Sequence, residues 1–90
     1  MYAAILTVTI DPAQEDAARS NLMSNVVPMV KAAPGFVAGY WVAPSNGKAS
    51  SFVVFETEDQ ARQAAPPAGS SPGPGVTVDS VELREVVASA

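Results

Sequence analysis

Apolar residues are not spread evenly along this chain. Residues 2–10 (YAAILTVTI) form an unbroken apolar and β-branched run closed by Asp11-Pro12, the pattern of a buried strand. Asp11 is a good helix N-cap and Pro12 suits the first helical position, where its missing N–H is no loss; Gln14 is placed to complete a capping box. Beyond it Ala18, Leu22, Val26, Met29, Val30 and Ala33 recur at spacings of three and four, with Gln14, Glu15, Arg19 and Lys31 largely off that stripe, so a helix with one apolar face is predicted. Pro28 lies inside the stripe and predicts a kink or break near residues 25–27, and Pro34-Gly35 ends the helix.

Residues 36–43 (FVAGYWVA) and 49–56 (ASSFVVFE) read as two strands joined at Asn46-Gly47, the strongest short-range signal for a two-residue hairpin. Such a turn pairs Ser45 with Lys48. Carried along the arms, that register sets Trp41 opposite Phe52 and Gly39 opposite Val54 on one face, with Ala38, Tyr40, Val53 and Phe55 on the other. Thr57 and Gln60 form a second capping box, and Glu58 and Asp59 suit the positive end of a short helix reaching about Ala65. Residues 66–75 (PPAGSSPGPG) sustain neither helix nor ladder and read as a flexible excursion before a last strand over 76–87.

The order βαββαβ predicts an α+β, ferredoxin-like single domain over 1–90: a four-stranded antiparallel sheet with both helices on one face. The other face is left open. Leaving Trp41, Phe52 and Val54 in water would forfeit about 1.5–3 kcal/mol per large side chain, so a homodimer through the open sheet face is expected. Composition points the same way, since 48% of the 90 residues are hydrophobic and only 16% charged, an apolar balance for so small a domain.

Composition also removes whole classes of chemistry. The net charge is −4 and the five cations are scattered, which argues against a nucleic-acid partner. Without cysteine or histidine there is no disulfide, no thiolate metal site and no imidazole base. The apolar first strand is too short for a membrane span and lacks a basic leader, so the expectation is a cytoplasmic protein with no membrane partner. Glu56, Glu58 and Asp59 are read as a strand end and a helix start in solvent rather than a metal site. The glycine-rich loop lacks the Lys-Ser or Lys-Thr of a phosphate loop, and its prolines remove N–H donors; a lid over a pocket is its alternative to a plain surface loop.

Residues 28–41 (PMVKAAPGFVAGYW), residues 55–61 (FETEDQA) and the order of elements together resemble the antibiotic biosynthesis monooxygenase family, within the dimeric α/β barrel superfamily. The resemblance covers nearly the whole chain and implies a pocket between the sheet and the helices of each subunit. Members include cofactor-free oxygenases of quinol-like polyketides and haem-degrading enzymes. Many of the latter carry a Trp before the acid that enters helix two, a His on or after that helix and an Asn on strand one. Here Phe55 holds the first position, there is no His, and strand one offers Thr7 and Thr9, which argues against haem degradation. A cofactor-free oxygenase needs less, because an electron-rich substrate anion itself reduces dioxygen in a shielding pocket.

The expected function is therefore a cofactor-independent monooxygenase of a small aromatic or quinol-like substrate, with no cofactor. The alternative is a non-catalytic homodimer that binds a small apolar or aromatic ligand or serves a structural role. Phe36, Tyr40, Ser51 and Phe55 are the candidate substrate-binding residues, and the Tyr40 phenol is the candidate catalytic group that would bind or orient an oxyanion. Against this, the first reading of Phe36, Tyr40 and Phe55 is as core aromatics, and Trp41 is expected to fill the open, dimer-side face.

Overall fold

The computed structural model describes residues 1–90. Four strands, β1 (Tyr2–Ile10), β2 (Phe36–Trp41), β3 (Lys48–Phe55) and β4 (Val76–Glu85), form one antiparallel sheet in the order β2-β3-β1-β4. The helical crossovers lie on one face of it, and the fold is ferredoxin-like. The first crossover opens with a 3-10 turn (Pro12–Gln14), continues as α1 (Glu15–Asn21), widens into a π-helical turn (Leu22–Val26) and ends as α2 (Val27–Lys31). The second crossover is α3 (Glu58–Ala64).

Local chemistry explains most boundaries. The Asp11 carboxylate accepts from the Ala13 N–H at 3.0 Å and starts the first crossover, but Gln14 completes no capping box there, because the chain begins with a 3-10 turn that places Gln14 at its end. The Thr57 hydroxyl accepts from the Gln60 N–H and the Gln60 amide oxygen from the Thr57 N–H, both at 3.2 Å, so the second box is complete. Gly35, at φ 79°, turns the chain into β2, and a side chain there would land on the Gln60 amide. Proline 28 produces the disturbance predicted for it, but as a π turn rather than a break. Its ring removes the N–H that would reach back four residues, and the Val27 N–H instead donates to the Leu22 carbonyl five residues back while the backbone stays helical.

The hairpin departs from its predicted register. Ser45 and Lys48 do pair around Asn46-Gly47, both with positive φ, with N···O distances of 2.8 and 3.1 Å. Nearer the sheet, however, Trp41 stands opposite Ser51 and Tyr40 opposite Phe52, one residue out of step with the turn. The extra residue lies in the 42–44 stretch, where Pro44 has no N–H to give to a ladder and the arm bulges. A one-residue slip exchanges the two faces. Trp41 therefore turns to the helix side and Tyr40 to the open face, the reverse of the expectation for both. A second irregularity between Phe36 and Ala38 restores Phe36 to the helix side opposite Phe55.

The driest part of the interior lies under α3. Ala61 is 0% and Phe55 1% exposed, and the Phe36 ring meets Phe55 edge to face with centroids 6.3 Å apart. Val53, Tyr2, Leu83 and Val30 pack around this centre. α2 and α3 lie against the strands, whereas α1 and the π turn stand off the sheet.

Candidate functional site: an apolar cavity under the first helix

Where α1 stands off, a cavity of about 440 Å³ remains. Its floor is the helix-side row of β1 (Ala4, Leu6, Val8 and Ile10) with Ala49 and Ser51 of β3 and the Trp41 ring. Its roof is Ala18, Leu22, Val26 and Val30. A constant spacing of four overshoots the 3.6-residue turn, and in an unbroken α-helix such residues would drift round the cylinder by about 40° per step. The wider turn at Leu22–Val26 takes up part of that overshoot, which keeps all four on the cavity wall. Proline 28 thus acts on the site through helix geometry, without touching it.

The floor is roomy because its residues are small. Ala4 and Ala49 sit where a larger side chain would fill the space, and both are buried. Gly39 serves the wall in another way, since a Cβ there would come within 2.9 Å of the Trp41 ring. The outer edge of the indole, Cζ3 and Cη2, therefore takes the space a side chain at 39 would need, and Trp41 both lines the cavity and packs against the Phe55 centre.

Eighteen of the 27 lining residues are hydrophobic, so the cavity offers an apolar environment with few polar anchors. The best placed of these is Ser51, only 9% exposed and on the cavity floor, whose hydroxyl can donate to or accept from a bound molecule. Glu15 and Arg19 also line the space, but both are solvent-exposed and belong to its rim. Those two are the only ionisable side chains on the wall.

Of the four residues singled out from the sequence, Ser51 and Phe55 line the cavity and Phe36 stands behind Phe55. Tyr40 does not reach it; it is 67% exposed on the opposite face, across from Phe52. Trp41 takes the aromatic place foreseen for Tyr40. The signal for that exchange was present in Pro44, which spoils a clean ladder beside the turn. The 66–75 stretch is also more tied down than its composition predicts. The Gly69 N–H donates to the Val78 carbonyl at 2.7 Å, the Val78 N–H to the Ser70 carbonyl at 2.9 Å, and the Ser71 hydroxyl to the Val76 carbonyl at 2.6 Å.

Away from the cavity, Glu58 and Asp59 pair with Arg62 at 3.3 and 3.4 Å, which accounts for both acids as helix-surface partners. No helix is long and apolar enough to cross a membrane. Comparison with protein-family models, with curated proteins and with solved structures finds no match to this chain.

Proposed function

We propose that this protein binds a small, largely apolar or aromatic molecule in the cavity beneath α1, held by shape and by one hydrogen bond to Ser51. The observation that carries the reading is the coincidence of a cavity of about 440 Å³, in the size range of small-molecule sites, with a serine on its floor, Ser51, that is only 9% exposed. An uncharged ligand fits best, because the only ionised groups on the wall lie at its wet rim. Thermal unfolding with and without a neutral aromatic amine such as 1-aminoanthracene tests it. Ligand at one hundred times its Kd stabilises the fold by about 2.7 kcal/mol, and Ser51→Ala is expected to weaken binding by a hydrogen bond's worth, about 1 kcal/mol. No shift with any neutral aromatic of this size would overturn the reading.

A second reading, cofactor-independent oxygenation of a quinol-like substrate as the family resemblance implies, draws on the same cavity. An apolar chamber with a hydroxyl donor can seclude an aromatic enolate and hold its oxyanion while the substrate supplies the electrons to dioxygen. The loss of Tyr40 from the site leaves Ser51 as the nearly buried polar contact, and the one carboxylate on the wall, Glu15, lies at its exposed rim. Binding without oxygen consumption, tested with a polarographic electrode and a naphthohydroquinone, separates a binder from an oxygenase.

The same resemblance supports a homodimer through the open face. Tyr40 is 67% and Phe52 42% exposed there, beside Ile5 and Val54, while the β4 side of that face carries Glu82 and Arg84. Apolar residues on one side and an ion pair at 2.8 Å on the other suit a face covered by a second sheet with a polar margin. Light scattering that returns the mass of a single chain would refute it.

A further inference from the structure

We propose that residues 66–75 form a strap that gates the cavity, hinged on β4 and latched against the end of α1. The inference rests on reading the cavity as a binding site. Both feet of the strap stand on the cavity wall, Ala65 and Pro66 at one end and Pro72 and Gly73 at the other, so the segment closes the gap between the first crossover helix and α3. Its attachments divide into two kinds. All its hydrogen bonds run within itself, to Val76 and Val78 on β4, or from the Asp11 N–H to the Gly75 carbonyl at 2.8 Å. None runs to α1.

The contact with α1 is one of packing. Gly73 lies so close to Asn21 that a Cβ built on it would come 2.5 Å from the Asn21 amide nitrogen. The strap is thus bonded to β4, at Gly73 through the Val76 N–H, and only packed against α1, so it can swing off Asn21 without breaking a hydrogen bond to the helix. Gly69, at φ 86° with no atom near its Cβ position, supplies a pivot free of steric hindrance, and the prolines on either side keep the moving piece stiff.

A disulfide can lock this latch. The Cβ built on Gly73 lies 4.0 Å from the Asn21 Cβ, a separation that a disulfide spans without distortion, and the chain has no cysteine of its own to compete. In the full-length Asn21→Cys/Gly73→Cys variant, stopped-flow uptake and release of 1-aminoanthracene should both slow by about tenfold or more on oxidation, with little change in Kd and full recovery on reduction. Asn21→Ala, which removes the latch without a crosslink, should speed both rates severalfold. Unaltered rates in both variants, with the probe still bound, would overturn the gate and leave the pocket reading intact. Failure of the wild-type protein to bind the probe would overturn both.

Discussion

The two crossover helices cover the same face of one sheet with opposite results. α3 is short, capped at its start, and presents Ala61 to the strands, so it descends until Ala61 and Phe55 are sealed from solvent. The first crossover is longer and more apolar, yet α1 buries only Ala18 and its π turn buries nothing. Burial here follows the fit of facing surfaces rather than the length of the apolar stripe. Over α3's footprint an alanine meets aromatic rings that fill the gap; beneath α1 small residues line both sides, Ala18 in the roof and Ala4 and Ala49 in the floor, and the cavity remains between them. One end of the molecule has become a core and the other a container.

The contrast can be broken most sharply by truncation. Phe55→Ala in the sealed end should cost about 3–5 kcal/mol, a large share of the stability of a domain this size. Leu22→Ala in the roof of the cavity should cost nearer 1 kcal/mol, because part of its surface already faces open space and little new void is created. Urea titration of both variants decides the matter, and equal losses would mean that the cavity collapses in solution. Enlargement inverts the order. Ala61→Leu should destabilise by about 1–3 kcal/mol through overpacking, whereas Ala18→Leu should be neutral or stabilising by up to about 1 kcal/mol while abolishing probe binding. If Ala18→Leu bound the probe as wild type does, the ligand would lie elsewhere.

The sealed end was the more legible in the sequence. The Thr57–Gln60 box, the strand that delivers Phe55 and the order of elements are local signals, and each works through neighbours a few residues apart. The container was half legible. Proline 28 announced a disturbed helix and Ser51 was placed on the right face, but the identity of the aromatic wall depended on strand register, which one proline beside a well-read turn was enough to shift. Register errors are total for the residues they touch. Tyr40 and Trp41 are adjacent, and the slip exchanged their roles completely. The docking of 66–75 was invisible for another reason, since its bonds to β4 come mostly from carbonyls and N–H groups that any sequence carries, with the Ser71 hydroxyl added to them.

The smallest expected effect concerns what holds the cavity end of the sheet together in the absence of a tight helix above it. On the open face, below Val8 and Ala49, a polar pin crosses three strands. The Lys48 ammonium donates to the Thr9 hydroxyl at 2.6 Å and to Asp79 at 3.1 Å, and the Thr9 hydroxyl donates to Asp79 at 2.6 Å. Asp79 is the extra residue of a bulge in β4, where Thr7 faces Ser80 but Val8 faces Val78, and the bulge turns its carboxylate onto that face. The Thr9 hydrogen bond, then that of Lys48, together with the ammonium charge, holds the Asp79 carboxyl below its ordinary value against a smaller opposing effect of desolvation. A carboxyl whose pKa is depressed in the folded state stabilises the fold above its unfolded pKa and ceases to do so as pH falls through the folded one. The pin should therefore be intact above about pH 4 and fail below it. Because Lys48 and Asp79 are 61% and 33% exposed, salt screens the ion pair and the global change should be slight. The sharper readout is local: amide exchange protection, taken relative to the intrinsic rate at each pH, should fall at Val8, Ala49 and Val78 on acidification while that at Val53 and Phe55 holds, and Asp79→Asn should show the lower protection already at neutral pH. Uniform loss of protection at both ends would show that the sheet opens as one unit and that the pin serves neither end in particular.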